Sequence, residues 1–132
     1  MEQQAKSAAE ACAADSDNGA PFPEIVSRLA AAGFERYHAD LRRGDKTFYM
    51  PDGESHVVPC RRVSGPFGDR FSADHVHDAL KAIQRREIDY VEFCERLAHS
   101  GCVGYLVSLS GRRALYYGRT AETYVELFPA GD

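Results

Sequence analysis

The segment that decides the fold is EIVSRLAAAG at residues 24–33, which returns 68 residues later as EFCERLAHSG at residues 92–101. The likeness continues without a gap to residues 57 and 125. Over an aligned window of this length, background composition alone would give roughly two identical positions. Ten aligned positions are identical, namely Glu24, Arg28, Leu29, Ala30, Gly33, Tyr37, Leu41, Tyr49, Glu54 and Val57. We therefore expect two copies of one unit, at about residues 1–60 and 70–129.

Local patterns predict the same order of elements in each copy. In the second copy, Ser72 and Asp89 are suitable N-caps for helices over 72–86 and 89–101, and Gly101 suits the left-handed position after a helix. Alternating apolar residues predict strands over 103–109, 114–117 and 124–128. The first copy gives helices over 2–14 and 22–33 and strands over 34–41, 46–50 and 55–58.

The fold class follows from the size of these units. Each copy is too small to bury the apolar face of its sheet alone, so the two copies should share one core. We predict an α+β fold made of two pseudo-symmetric ααβββ repeats with an antiparallel sheet, forming a single domain over residues 1–132.

Composition excludes several functional classes. The chain has 132 residues, with 16 Lys and Arg against 20 Asp and Glu and a net charge of −4. Its paired arginines are dispersed among acidic residues, so we expect no nucleic-acid partner. No apolar run is long enough to cross a bilayer and no secretory signal pattern is present, which predicts no membrane partner and a cytoplasmic location. Neither the residues nor their spacing predict a cofactor or an oligomeric state.

The first strand carries an unusual set of charges. By alternation one of its faces presents polar residues where the second copy presents small or apolar ones: Arg36, His38, Asp40 and Arg42, against Gly104, Leu106, Ser108 and Ser110. Three interpretations stay open. The face is solvated and holds cross-strand pairs such as Asp40 with Lys46, or a helix covers it and Asp40 orients His38 as a base, or the face binds a ligand without chemistry.

A second candidate group is the segment Tyr116-Tyr117-Gly118-Arg119, which lies at a strand end shortly before Glu122. Tyrosine with arginine can hold an anionic or aromatic ligand, although the same residues also suit packing at an edge strand. The ligand-binding candidates are Arg36, Arg42, Lys46, Tyr117, Arg119 and Glu122, and the catalytic candidates are His38 and Asp40.

The segment DHVHD at residues 74–78 invites a metal interpretation. On a strand, His75 and His77 would share a face, but on the predicted helix residues two apart point roughly 200° from each other. Asp74 with Asp78 or with His77 could bind a metal only weakly. The four cysteines also lack paired metal spacing, and we expect them to be free thiols. The sequence predicts no metal site.

The order of several short motifs resembles one known family. The motifs include Phe22-Pro23-Glu24, Glu35-Arg36-Tyr37, Lys46-Thr47 and Asp52-Gly53-Glu54 in the first half, and Ile88-Asp89-Tyr90, Tyr116-Tyr117-Gly118-Arg119 and Tyr124-Val125-Glu126 in the second. The family is the small bacterial and prophage-borne one called domain-of-unknown-function family 1398, often labelled phage envelope protein. The resemblance covers residues 22–129 and implies a small cytoplasmic α+β protein without established chemistry. The alanine-rich N-terminus and His38 depart from the family pattern.

Two functions from different classes follow. The first is a module that binds a small molecule or a protein partner in the cleft between the two repeats. The second is a cofactor-free acid/base enzyme, an isomerase, cyclase or hydrolase, which uses His38 and Asp40 with tyrosine and arginine from the second repeat. A closed pocket around His38 and Asp40 would favour catalysis, and an open face would favour binding.

Overall fold

The computed structural model describes residues 1–128, which form four helices and six strands. They are α1 Gln3–Asp17, α2 Phe22–Ala31, β1 Arg36–Asp40, β2 Asp45–Tyr49, β3 Ser55–Pro59, α3 Ala73–Gln84, α4 Tyr90–His99, β4 Cys102–Ser108, β5 Arg113–Gly118 and β6 Thr123–Leu127. The α+β class and the element order are confirmed. The predicted end of the second repeat at residue 129 lies outside the described residues. Within residues 1–128, every helix is too short or too polar to cross a membrane.

All six strands form one antiparallel sheet in the order β3-β2-β1-β4-β5-β6. The two halves meet at the central β1–β4 pair, where His38 lies opposite Leu106. The strand pairings of the two halves match when 68 is added to each residue number. The pair His38–Thr47 in the first half, for example, corresponds to the pair Leu106–Leu115 in the second. Helix α2 in the same way maps onto α4 (22 + 68 = 90 and 31 + 68 = 99). These registers agree with two copies related by a twofold axis through the His38–Leu106 pair, and the duplication itself stays a prediction.

The helix boundaries follow from local capping. The backbone N–H of His75 donates to Ser72 Oγ at 3.2 Å, and that of Glu92 donates to Asp89 Oδ1 at 2.8 Å. Both N-caps are therefore as predicted, and each satisfies one of the free N–H groups at a helix start. The Glu92 carboxylate pairs with Arg96 one turn later rather than returning to the cap.

The core lies between the four helices and one face of the sheet. Its buried residues include Leu29, Val76, Phe93 and Leu97 from the helices and Tyr37, Phe48, Tyr105, Val107 and Tyr116 from the strands. Hydrogen bonds from three helices reach this same face, at His56 from α1, Tyr124 from α3 and Tyr105 from α4. The opposite face is not covered by any of the helices within residues 1–128.

Lys46 lies on the helix-covered face, so the prediction that it pairs with Asp40 on the polar face is wrong. In the register Asp40 lies opposite Asp45, and Lys46 lies opposite Ala39, which faces the core. The Lys46 residue is only 4% exposed, and its ammonium lies 4.8 Å from the centroid of the Tyr90 ring. Aromatic rings attract a cation through their quadrupole, which partly offsets the loss of hydration.

Candidate functional site

An open cleft of about 470 Å³ lies where the two halves meet at one end of the sheet. The first half contributes the end of β1 and the turn that follows it, and the second half contributes the start of β4 and the end of β5. The lining residues are Asp40, Arg42, Arg43, Val103, Tyr117, Gly118, Arg119 and Ala121. Four of the residues singled out in the sequence, from both halves, therefore meet at one place.

Tyr117 reaches across the sheet to His38. Its hydroxyl oxygen lies 2.7 Å from His38 Nε2, and the two rings are stacked with centroids 5.9 Å apart and an interplanar angle of 15°. Gly104 of β4 makes this possible, because a Cβ at that position would lie 2.4 Å from the Tyr117 hydroxyl oxygen. At the equivalent place in the first half, the Arg36 guanidinium instead covers the Tyr49 ring at 4.0 Å. The two halves thus differ at the one tyrosine that faces the cleft.

Burial raises the pKa of Tyr117, and the negative charge of Asp40 raises it further. Both effects disfavour the phenolate. Tyr117 therefore stays a neutral hydroxyl around neutral pH. It can donate or accept a hydrogen bond, but it does not act as a base.

Asp40 stabilises the turn after β1 and does not orient His38. Its Oδ1 accepts the backbone N–H groups of Arg42 and Arg43, each at 3.0 Å. Among the described residues, the hydrogen bond recorded for the His38 ring goes to Tyr117. Side-chain capping of a turn in this way is a common structural role of aspartate. The predicted pairing of His38 with Asp40 is accordingly replaced by a pairing of His38 with Tyr117.

Two arginine side chains at the cleft are held by neutral groups. The Arg42 guanidinium lies over the Phe67 ring at 4.6 Å, and Arg119 Nε donates to the carbonyl oxygen of Asp69 at 3.2 Å. Within residues 1–128, neither guanidinium has a carboxylate at ion-pair distance. These positive charges remain available to a ligand, and both arginines are positioned by the segment that connects the two halves.

The remaining ligand-binding candidates are not among the residues that line the cleft. Arg36 pairs with Glu35 at 2.9 Å near the other end of β1. The Glu122 carboxylate accepts the Thr120 hydroxyl at 2.8 Å within the β5–β6 turn. Lys46 points to the core, as described above, so the structure does not gather these three with Tyr117 and Arg119.

Sequence reasoning missed the contribution of the connector and of one turn residue. Phe67 and Asp69 belong to the segment GPFGD at residues 65–69, which reads as a linker because of its glycines and proline. The one available signal was an aromatic residue within that polar linker. Arg43 lines the cleft beside Arg42, and its pairing with Asp45 at 3.0 Å depends on the turn geometry.

The two histidines of the DHVHD segment are separated, as the helical assignment predicts. His77 Nδ1 lies 2.7 Å from the Tyr124 hydroxyl oxygen on the covered face of the sheet. His75 lines a groove between α3 and α4, near Glu95 and His99. In the described part of the chain, no three His, Cys, Asp or Glu residues are arranged to hold a metal ion.

Comparison with known proteins identifies one family. The model of the family described as a protein of unknown function (DUF1398) matches residues 10–126, which is 117 of the 132 residues (126 − 10 + 1). A search of the curated proteins found no match. The match spans both halves of the sheet and every residue of the cleft, and the chain belongs to the DUF1398 family.

Proposed function

We propose that this protein binds a small molecule with an anionic group in the cleft between its two halves. The observation that carries the proposal is the convergence of Arg42 and Arg119, both without a carboxylate partner in the described chain, with the neutral hydroxyl of Tyr117. A cleft of about 470 Å³ is within the size range of small-molecule sites. The cleft is lined by three arginines and by one carboxylate, that of Asp40, so its charge favours the binding of an anion.

The chemistry of arginine suggests the form of the ligand. A guanidinium presents a rigid fork of N–H donors that matches a carboxylate or phosphate with two parallel hydrogen bonds. Stacking on Phe67 and the bond to the Asp69 carbonyl already restrict Arg42 and Arg119, which lowers the entropy lost on binding. The Tyr117 ring offers a flat surface beside them, so an aromatic or planar acid fits best.

The second candidate function is a cofactor-free acid/base enzyme in which His38 accepts a proton. The hydrogen bond between His38 and Tyr117 favours it, because a tyrosine hydroxyl can relay a proton between a ligand and an imidazole. Three observations favour binding instead. The cleft is open, Asp40 is used by the turn, and the pKa of Tyr117 is raised.

Isothermal titration calorimetry with benzoate and phenyl phosphate tests the proposal, with benzyl alcohol as the uncharged comparison. Arg42→Gln and Arg119→Gln should each weaken anion binding by about 10- to 100-fold, since each removes charge-assisted hydrogen bonds. Arg85→Gln, at the exposed end of α3, removes the same charge far from the cleft and should change nothing. Equal binding by Arg119→Gln and the wild type, or no binding of either anion, would reject the proposal.

A reducing cytoplasm is part of the same proposal. The four cysteines Cys12, Cys60, Cys94 and Cys102 are free thiols, which persist where glutathione keeps thiols reduced. We also propose the association with phage genes that the family resemblance implies. Cell fractionation with an antibody against the chain, together with the identity of neighbouring genes, tests both parts.

A further inference from the structure

The uncovered face of the sheet carries a band of mostly apolar side chains that crosses all six strands. Its members lie opposite one another in the register, and we call them the central row: Val57, Thr47, His38, Leu106, Leu115 and Val125. Val57 and Val125 at its two ends are 49% and 43% exposed, and Leu127 beside Val125 is 61% exposed. The row is interrupted by Thr47 and His38, but exposed apolar side chains grouped on an open sheet in this way are typical of an interaction surface.

The charges next to the central row are segregated by sign. Arg36 of β1 and Arg113 of β5 lie two residues from the central row, both on the same side of it. Asp40 of β1 and Asp45 of β2 lie two residues from the central row on its other side. A basic flank and an acidic flank therefore border the same band on opposite sides, and on the acidic flank Asp40 is the residue left for a partner, because Asp45 is already paired with Arg43 at 3.0 Å.

We propose that a second copy of this chain packs face to face on this sheet, with the twofold axis running along the central row. A rotation of 180° about that axis exchanges the two flanks. Arg36 of one copy then faces Asp40 of the partner subunit, and the reverse contact forms at the same time. The apolar residues of the row meet their own counterparts, as an isologous interface requires.

The size of the face fits a small, weak interface. Six strands about 4.8 Å apart, each with five residues at about 3.3 Å, give a plan of roughly 29 by 17 Å. This plan of about 500 Å² is below the roughly 800 Å² per partner of a standard interface and in the range of weak, transient ones. The Arg36 side chain is still 41% exposed beside Glu35, so it is accessible to a partner.

This inference goes beyond ligand binding in the cleft and is tested by a different measurement. Dimer formation is read as mass, whereas the proposed function is read as the heat of binding of an anion. A monomeric protein that binds benzoate would reject the dimer alone. Because Asp40 and Tyr117 lie on this face and also line the cleft, benzoate binding is measured on the monomeric Leu106→Lys variant too, and no binding by that monomer would reject the proposed function alone.

Sedimentation equilibrium of the full chain measures the association directly. The wild type should reach the dimer mass of about 29 kDa (2 × 14.6 kDa). Leu106→Lys places two charges at the centre of the interface, and Arg36→Glu sets like charges against Asp40 of the partner subunit. Each variant should raise the dissociation constant at least about tenfold.

Arg113→Glu is the matched control, because it reverses the same charge on the same flank but faces the uncharged Tyr117 of the partner subunit. Its effect on the dissociation constant should be smaller than that of Arg36→Glu. Thermal unfolding checks that each variant is folded.

A wild-type mass of 14.6 kDa at about 1 mM would overturn the proposal. So would a dimer that is indifferent to both Leu106→Lys and Arg36→Glu, since its contact would then lie elsewhere, for example at the β6 edge. An equal effect of Arg113→Glu and Arg36→Glu would reject the proposed axis.

Discussion

Replacing Gly104 by alanine should destabilise the fold and separate Tyr117 from His38. The added Cβ would lie 2.4 Å from the Tyr117 hydroxyl oxygen, 2.7 Å from its Cζ and 2.8 Å from the carbonyl oxygen of Ala39. The tyrosine ring can move aside, but the Ala39 backbone is fixed within the sheet. Overpacking of this kind costs about 1–3 kcal/mol, and the lost hydrogen bond adds about 1 kcal/mol. We expect the free energy of unfolding to fall by about 2–4 kcal/mol and Tm by roughly 6–14 °C.

Urea unfolding of four proteins isolates the contact between Gly104 and Tyr117. They are the wild type, Gly104→Ala, Tyr117→Ala and the double variant. Without the Tyr117 ring, two of the three nearest contacts of the new methyl group are gone and the Ala39 carbonyl remains, so Gly104→Ala should cost at least about 0.5 kcal/mol less in that background. The His38 ring signals in NMR should shift in Gly104→Ala as the bond to Tyr117 breaks. An equal cost of Gly104→Ala in both backgrounds would refute the packing of Tyr117 over Gly104.

Three further predictions concern stability. Lys46→Met should leave Tm unchanged or raise it, because it removes a buried cation and keeps the apolar part of the side chain; a loss above about 2 kcal/mol in urea unfolding would contradict this. Burial raises the pKa of the Cys94 and Cys102 thiols to about 11. The folded state therefore holds these protons more tightly than the unfolded chain, and stability should fall as the pH rises from about 9 to about 11; equal unfolding free energies across that range would exclude the effect. Asp89→Ala removes the N-cap of α4 and should cost about 1 kcal/mol in thermal unfolding, whereas Ser110→Ala in an exposed turn should cost nothing measurable.

The order of elements could be predicted because its signals are local. Ser72 and Asp89 accept backbone N–H groups at the starts of α3 and α4, where the sequence places N-caps. Gly33 and Gly101 follow α2 and α4 with φ values of +95° and +84°, the left-handed conformation that glycine adopts without strain. Each of these assignments depends on neighbours within a few residues.

The side of the sheet on which Lys46 lies depends on register, which local patterns did not determine. Pairing Asp40 with Lys46 instead of Asp45 is an error of one residue, and one residue moves a side chain to the opposite face of a sheet. The turn between β1 and β2, with Gly44 at φ +77°, determines the register.

The candidate site shows the same limit at longer range. The sequence grouped His38 with tyrosine and arginine of the second repeat in one of its two candidate functions, but it did not predict the hydrogen bond to Tyr117, which is 79 residues away and needs β1 beside β4. Periodicity predicts each strand and does not say which strands become neighbours at the centre. Pairing His38 with Asp40, its neighbour on the same strand face, was therefore the only local choice.

Binding of an anion in the cleft is tested most directly by NMR of ¹⁵N-labelled protein titrated with benzoate. We predict saturable shifts of the backbone amides of Arg42, Tyr117, Gly118 and Arg119, which line the cleft, and no comparable shifts near Glu95 and His99 in the groove between α3 and α4. Shifts that are largest in that groove, or no saturable shift at the cleft up to about 10 mM benzoate, would contradict the binding of an anion in the cleft.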